Sequence, residues 1–229
     1  MKIAYIVTRA EPIGGAQIHV RDMAAAMRAH GHEATVLTSG RGAFVDDLRA
    51  QATPVRLMRH LTMPIAPFSD LRALREIRGV FTELRPDLIA AHSSKAGTLA
   101  RVAGRSLGIP VVFTAHGWAF TPGVPGTKAA LFRRIERLVG PLASRIITVS
   151  EFDRRLALEA RVAPPERVVT VHNGMPDVAP ALRADPGRSP PRLVMVARFM
   201  AQKDHATLLR ALSSLRSRPW AMILAIIES

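Results

Sequence analysis

The chain has no cysteine, which excludes a disulfide framework, a thiol nucleophile and a cysteine-ligated metal, and makes a reducing cytoplasm the natural setting. Aromatic residues make up only 5% of it, and the aromatic signatures that stack RNA bases are missing. No apolar run approaches the roughly 20 residues that span a bilayer. Met1-Lys2 leads straight into the strand-like Ile3-Ala4-Tyr5-Ile6-Val7, which is too short for a secretory leader and is soon followed by Arg9 and Glu11. Lysine is scarce as well: among 32 basic residues only Lys2, Lys95, Lys128 and Lys203 are lysines. The formal charge of +14 therefore rests on arginines scattered over many helical segments, a pattern closer to genome base composition than to a binding footprint. With no paired Cys/His module and no helix-turn-helix, nucleic acid is not an expected partner.

What the sequence does contain is an alternation of short apolar runs with segments of helical period. Runs near 2–8, 33–38, 54–59, 87–91, 110–115, 145–149 and 166–171 read as strands buried on both faces. Between them, Ala16 to His30 is helical and stops at Gly31, while Leu71, Leu74, Ile77, Phe81 and Leu84 keep helical spacing up to Pro86. Thr98 to Leu107 repeats that pattern and stops at Gly108. The implied fold class is α/β, a Rossmann-like doubly wound parallel sheet whose ligand crevice lies at the carboxyl ends of its strands. Residues 1–174 form this domain. Residues 175–191, with Pro176, Pro180, Pro186, Pro190, Pro191 and Gly187, form a linker that holds no regular element. Residues 192–229 open a second Rossmann-like lobe with a strand, a helix and a strand, whose apolar faces lack a cover.

Chemistry is expected in the loops that follow the strands. Gly14-Gly15, between the first strand and first helix, lets a ligand reach backbone N–H groups where the helix dipole favours an anion. A third glycine is missing from this loop and no acid is plainly placed after the second strand, which argues against a nicotinamide enzyme. His19 lies on the following helix, where packing or capping explains a single histidine. His92-Ser93-Ser94-Lys95-Ala96-Gly97 follows the fourth strand; either serine can cap the next helix, but capping leaves Lys95, a cation in a first turn, unexplained. His116 ends the fifth strand and points into the predicted crevice, with Gly117 and the aromatics Trp118 and Phe120 after it. Ser150 reads as an N-cap followed by Glu151, and Asn173-Gly174 as a turn dipeptide. Arg198 and Lys203 flank the first strand–helix junction beyond the linker, where two cations can clamp a diphosphate.

In this order, Gly14-Gly15-Ala16-Gln17-Ile18-His19-Val20, His92 to Gly97, Thr114-Ala115-His116-Gly117, Val149-Ser150-Glu151, His172-Asn173-Gly174 and Val196-Ala197-Arg198-Phe199 with Gln202-Lys203-Asp204-His205 resemble the GT-B-fold glycosyltransferases of the family 4 type. The resemblance covers the chain to about residue 215. It implies that the first lobe is the acceptor side and the second the donor side of an enzyme that transfers a sugar from a nucleotide-sugar donor to a glycan or lipid-linked acceptor. Cell-envelope or exopolysaccharide biosynthesis is the implied setting, in the cytoplasm or peripherally at the inner face of the cell membrane. Gly14, Gly15, Arg198 and Lys203 would hold the donor diphosphate, and His116 would contact the transferred sugar. His92, Ser93, Ser94 and Lys95 would serve the acceptor, and His19, Ser150, Glu151 and Asn173 are further candidates. Retention by attack on the face of departure implies no protein nucleophile, no cofactor and no metal.

Ala197 stands where the family commonly has glycine, and Asp204 where glycine is frequent. The family's donor site also uses a Glu, seven residues and a second Glu, further along than residue 229; Glu228 is not part of that pair. The chain is therefore expected to be truncated early in the donor lobe and poorly active, with a non-catalytic acceptor- or partner-binding lobe as the alternative. The segment 127–145, with Leu131, Ile135, Leu138 and Leu142 at helical spacing and Lys128, Arg133, Arg134 and Arg137 around them, is expected to lie on an anionic membrane surface.

Overall fold

A computed structural model of the chain describes residues 1–175, 177–185, 187–197, 199, 203–215 and 221–226. Two compact units are present, Met1–Asn173 and Gly174–Ser229. The first holds seven strands: β1 (Lys2–Arg9), β2 (Glu33–Ser39), β3 (Val55–Met58), β4 (Leu88–His92), β5 (Val111–Ala115), β6 (Arg145–Thr148) and β7 (Val168–Thr170). Its helices are α1 (Gly15–Ala29), α2 (Ala43–Ala50), α3 (Pro67–Leu84), α4 (Ser94–Leu107), α5 (Gly126–Val139) and α6 (Glu151–Glu159). All pairings are parallel, in the order β3-β2-β1-β4-β5-β6-β7. The order reverses between β1 and β4, and the loops leaving those two strands part there to opposite faces, which opens the crevice of a doubly wound sheet.

Both faces of β1 are covered, and its side chains divide between two cores. Ile3, Tyr5 and Val7 pack with Val20, Ala24, Phe44, Val45 and Leu48 beneath α1 and α2. Ala4 and Ile6 face the other way, into a larger core with Ile77, Phe81, Ile89, Ala100, Phe113 and Ile146. A strand with period-two side chains and apolar partners on both sides has to be apolar throughout, which explains its unbroken run of buried residues. The sequence reading omitted α2. Three of its eight residues, Phe44, Val45 and Leu48, face the core, too short a stretch to show helical period clearly.

Helix α4 lies close on the sheet because it presents glycines to it. A Cβ on Gly97 would run into the Phe113 ring, and one on Gly104 into the Val111 side chain. Beside Gly97, Arg101 is fully buried: its guanidinium sits 4.2 Å from the Phe113 ring centroid, and Nε donates to the Gly97 carbonyl at 2.9 Å. Nη1 and Nη2 donate to the two carboxylate oxygens of Glu136 on α5 at 2.8 and 3.2 Å. This fork-to-fork pair fixes α5 against α4, and each partner compensates the other's desolvation.

The second unit contains β8 (Arg192–Ala197), α7 (His205–Ser213) and β9 (Ala221–Ile226), with β8 and β9 paired in parallel. Several of its apolar strand residues remain open, Val194 at 62%, Val196 at 61% and Ile223 at 56% exposure, while Ala197 is buried. The proline-rich segment before it contains one short 3-10 turn, Pro180–Leu182, where the sequence reading placed no regular element.

Candidate functional site

Three segments singled out in the sequence meet at the switch point. His92 is the last residue of β4, His116 follows β5 directly, and His19 stands on α1, the helix that follows β1. One ring nitrogen from each lies within 4.8 Å of the other two, with His92 Nδ1 and His116 Nε2 hydrogen-bonded at 3.0 Å. The His92 and His116 rings stack at 5.3 Å, and the His19 ring meets His116 edge-on at 5.0 Å. His92 is buried and backed by the Tyr5 ring, whereas His19 and His116 are partly open.

Burial sets the charge of this cluster. It pushes His92 well below the usual histidine range, reinforced by the neighbouring His116 and His19. Burial first and His19 second bring His116 down to about 4. His19 is lowered by burial, against an opposing pull from Asp22 on the same helix. At neutral pH the three imidazoles are therefore uncharged, and each has one N–H to donate and one lone pair to offer. Burial also raises the Tyr5 phenol to about 12, which keeps it neutral behind them.

Gly14 is the N-cap of α1 and has an extended backbone; the Gln17 side chain accepts from its N–H at 3.1 Å and donates to the Arg9 carbonyl. Neither glycine of the pair needs a left-handed conformation, and a Cβ on Gly15 would meet nothing within 4 Å. The first turn of α1 contains no acid. Together these leave an uncovered, positively polarised helix start.

Several expectations about side chains change. Ser93 occupies the N-cap position of α4 with φ +67°, but its hydroxyl does not cap the helix; it hydrogen-bonds the Thr8 hydroxyl at 2.6 Å. The cap comes from Thr8, whose Oγ1 accepts from the Ala96 N–H at 3.2 Å. Ser94 opens α4 and is partly exposed. Lys95 is not a free cation: it pairs with Asp70 of α3 at 2.5 Å and donates to the Pro64 carbonyl, which explains a lysine in a first turn. Trp118 and Phe120 stack on each other in the core, and Trp118 Nε1 donates to the Asp153 carbonyl, so neither reaches the crevice. Gly117, at φ +132°, makes the turn that leads away from His116. Ser150 caps α6 as expected, accepting from the Asp153 N–H at 3.1 Å, and Glu151 is exposed in the first turn. Asn173 is exposed without a left-handed turn, while His172 Nδ1 donates to the Val149 carbonyl. In the second unit Lys203 is exposed just before Asp204, the N-cap of α7; Arg198 lies outside the described residues.

A cavity of about 420 Å³ lined by Pro141, Leu158, Arg161 and Val162 sits at the amino ends of β6 and β7, the opposite side from the histidines. Ligands of doubly wound sheets gather at the carboxyl ends, which leaves the histidine cluster as the candidate site.

Residues 14–174 match the glycosyl transferase 4-like domain. The chain belongs to that family. It is 26% identical over 131 residues to an Escherichia coli UDP-Gal:alpha-D-GlcNAc-diphosphoundecaprenol alpha-1,3-galactosyltransferase, a match covering 57% of this chain and 33% of that protein. A glycosyltransferase from Rickettsia africae shares its fold with a TM-score of 0.72 at 18% identity, over 97% of this chain and 59% of that one. HepE of Anabaena, solved with UDP and glucose, gives 0.71 at 22% identity, over 99% and 62%. The fold is thus that of the GT-B glycosyltransferases. The chain spans between about a quarter and a half of the length of the curated relatives it matches. The histidine cluster, Gly14-Gly15 and the start of α4 all lie inside the family-matched region; Lys203 lies beyond it.

Proposed function

We propose that this family member takes part in retaining transfer of a sugar from a nucleotide-sugar donor to a glycan or lipid-linked acceptor during envelope or exopolysaccharide assembly. The observation that carries the reading is the convergence of His19, His92 and His116 on the switch point of the sheet, beside the open helix start at Gly14-Gly15. Neutral imidazoles suit a sugar, because His19 can donate to one hydroxyl and accept from another, and His116 keeps its second ring nitrogen for a hydroxyl, without a desolvated charge. His116, the more open of the hydrogen-bonded pair, contacts the transferred sugar, and His92 holds its ring in place. The Gly15 N–H faces the donor phosphates, while the Gly14 N–H is held by the Gln17 side chain. Arg198 and Lys203 stabilise the negative charge that grows on the departing nucleotide. Transfer by this route needs no protein nucleophile and no metal cofactor. Lys95, committed to Asp70, shapes the acceptor side by holding α4 to α3 rather than by offering a free charge.

The setting we infer is cytoplasmic, with contact at the inner face of the membrane. Helix α5 supports this in altered form: Phe132 and Ile135 are half-buried and Val139 is buried, but Leu131 and Leu138 are 51% and 70% exposed, with Lys128 and Arg134 exposed beside them. Arg137 donates to the Ala160 carbonyl and Arg133 lies over Phe120, so Lys128 and Arg134 are the better probes of lipid contact. The deciding experiment is an assay of the whole protein carrying this sequence, using a panel of nucleotide sugars and a polyprenyl-diphosphate sugar as acceptor. Transfer should fall about 100-fold in His116→Ala and in Lys203→Ala, the scale for losing a transition-state partner. Near-normal rates in both would refute the assigned roles, and saturable acceptor binding without transfer would favour a binding lobe.

A further inference from the structure

Of the eight histidines in the sequence, the three of the cluster come from three different elements and meet with no carboxylate among them. Asp22 on α1 is the acid felt there, and it acts on His19. The ring nitrogens are spaced for more than hydrogen bonding. Metal–nitrogen bonds of about 2.0–2.1 Å in a tetrahedral site hold their nitrogens roughly 3.3 Å apart. His92 Nδ1 and His116 Nε2, at 3.0 Å, already approximate one edge of such a site. The widest separation in the trio, bounded at 4.8 Å, closes with a shift of the half-buried His19 side chain on α1. His92 Nε2, the nitrogen on the far side of that ring, is buried with no hydrogen-bond partner among the described residues, so with Nδ1 as the ligand it is the atom that carries the ring proton. Three imidazoles without carboxylates disfavour magnesium and calcium, which take oxygen ligands, and suit zinc, cobalt, nickel or copper.

We propose that His19, His92 and His116 bind one divalent transition-metal ion of the zinc type, and that this ion, when bound, blocks His116 from the sugar. The binding stands on the cluster alone; the blocking rests on the glycosyl-transfer reading. Three imidazole ligands leave a fourth coordination position for water. The ion takes the lone pair that His19 would offer to a sugar hydroxyl and replaces the hydrogen bond by which His92 holds the His116 ring, so it acts as an inhibitor rather than a cofactor.

The test has two arms. The chelator-treated 229-residue chain is titrated with cobalt, read by visible absorption, and with zinc, read by calorimetry. One ion per chain at micromolar affinity or better is expected, weakened tenfold or more in His19→Gln and in His116→Gln, with folding checked by circular dichroism. The exposed pair His30→Ala and His32→Ala should leave binding unchanged. Absence of saturable binding, or binding that survives His19→Gln with His116→Gln and is lost with His30 and His32, overturns the site. In the second arm, zinc should inhibit transfer by the whole protein and chelator should restore it. Zinc bound at the cluster without inhibition overturns the blocking role. A protein that binds zinc there yet transfers no sugar with or without it refutes the glycosyl-transfer reading, while the metal site stands.

Discussion

The two units use the same strand–helix–strand vocabulary with opposite outcomes in burial. In the first, β1 lies between β2 and β4 and under helices on both faces, so residues such as Ile6 and Val7 are almost wholly removed from water. In the second, β8 has a similar apolar make-up and, among the described residues, one strand partner, and Val194 and Val196 stay mostly exposed. Fully burying such a side chain contributes about 1.5–3 kcal/mol, so identical strand sequences stabilise very differently depending on what covers them. Apolar content therefore says where strands are, and layer count says how much they hold.

The sharpest way to break that comparison is at the ion pair between α4 and α5. Arg101→Ala should destabilise the first unit by about 3–5 kcal/mol, since it strands the Glu136 carboxylate in the core. Urea unfolding followed by far-ultraviolet circular dichroism would read it; a loss below ~1 kcal/mol would show the pair to be solvated in practice. Arg210, exposed on α7 of the second unit, should produce no measurable change when altered to Ala.

Acid should act on the first unit next most strongly. The histidines of the cluster have folded-state affinities for protons below the unfolded value near 6.5, with His116 at about 4. The unfolded chain therefore takes up protons that the folded one refuses. Stability is fully present above the unfolded value and declines as pH falls from 6.5 toward 4. His116→Gln should flatten that slope in denaturation series across the interval; an unchanged slope would mean the cluster is better hydrated than its burial implies.

Gly97→Ala should cost about 1–3 kcal/mol by forcing α4 away from Phe113, measurable as a lower denaturation midpoint. The smallest effect compares like with like. Ser150 caps α6 in the first unit and Asp204 caps α7 in the second. Ser150→Ala should cost the main transition roughly 1 kcal/mol. Asp204→Ala should leave that transition in place and speed amide exchange along α7 only; a shift of both together would show the units to unfold as one.

All seven strands of the first unit were legible as apolar runs, because a parallel sheet with two covered faces demands them. Helix stops at Gly31 and Gly108 were legible too, both with positive φ. Contacts between distant residues were not. Nothing near Ser93 shows that Thr8, at the end of another strand, supplies the cap for α4. Nothing near Lys95 announces Asp70. His19 looked unremarkable by itself, and it becomes part of a site only because the strand order places the start of α1 beside the ends of β4 and β5. In the proposed membrane helix, periodicity identified α5 and two of its outward residues, Leu131 and Leu138, but Ile135 is half-buried and Leu142 falls in the 3-10 turn Gly140–Leu142 that follows. The buried Glu136 belongs to the inner face, and hydrophobicity alone would have turned it to solvent.

The Arg101–Glu136 pair leaves a mark that can be sought in relatives. A chain that drifts through single substitutions cannot lose the arginine first without stranding an acid, nor the acid first without stranding a cation. Positions 101 and 136 should therefore change together across the family, either as an oppositely charged couple or as two apolar residues. Mixed combinations should be rare, so one buried contact becomes a constraint on the order in which the family can diversify.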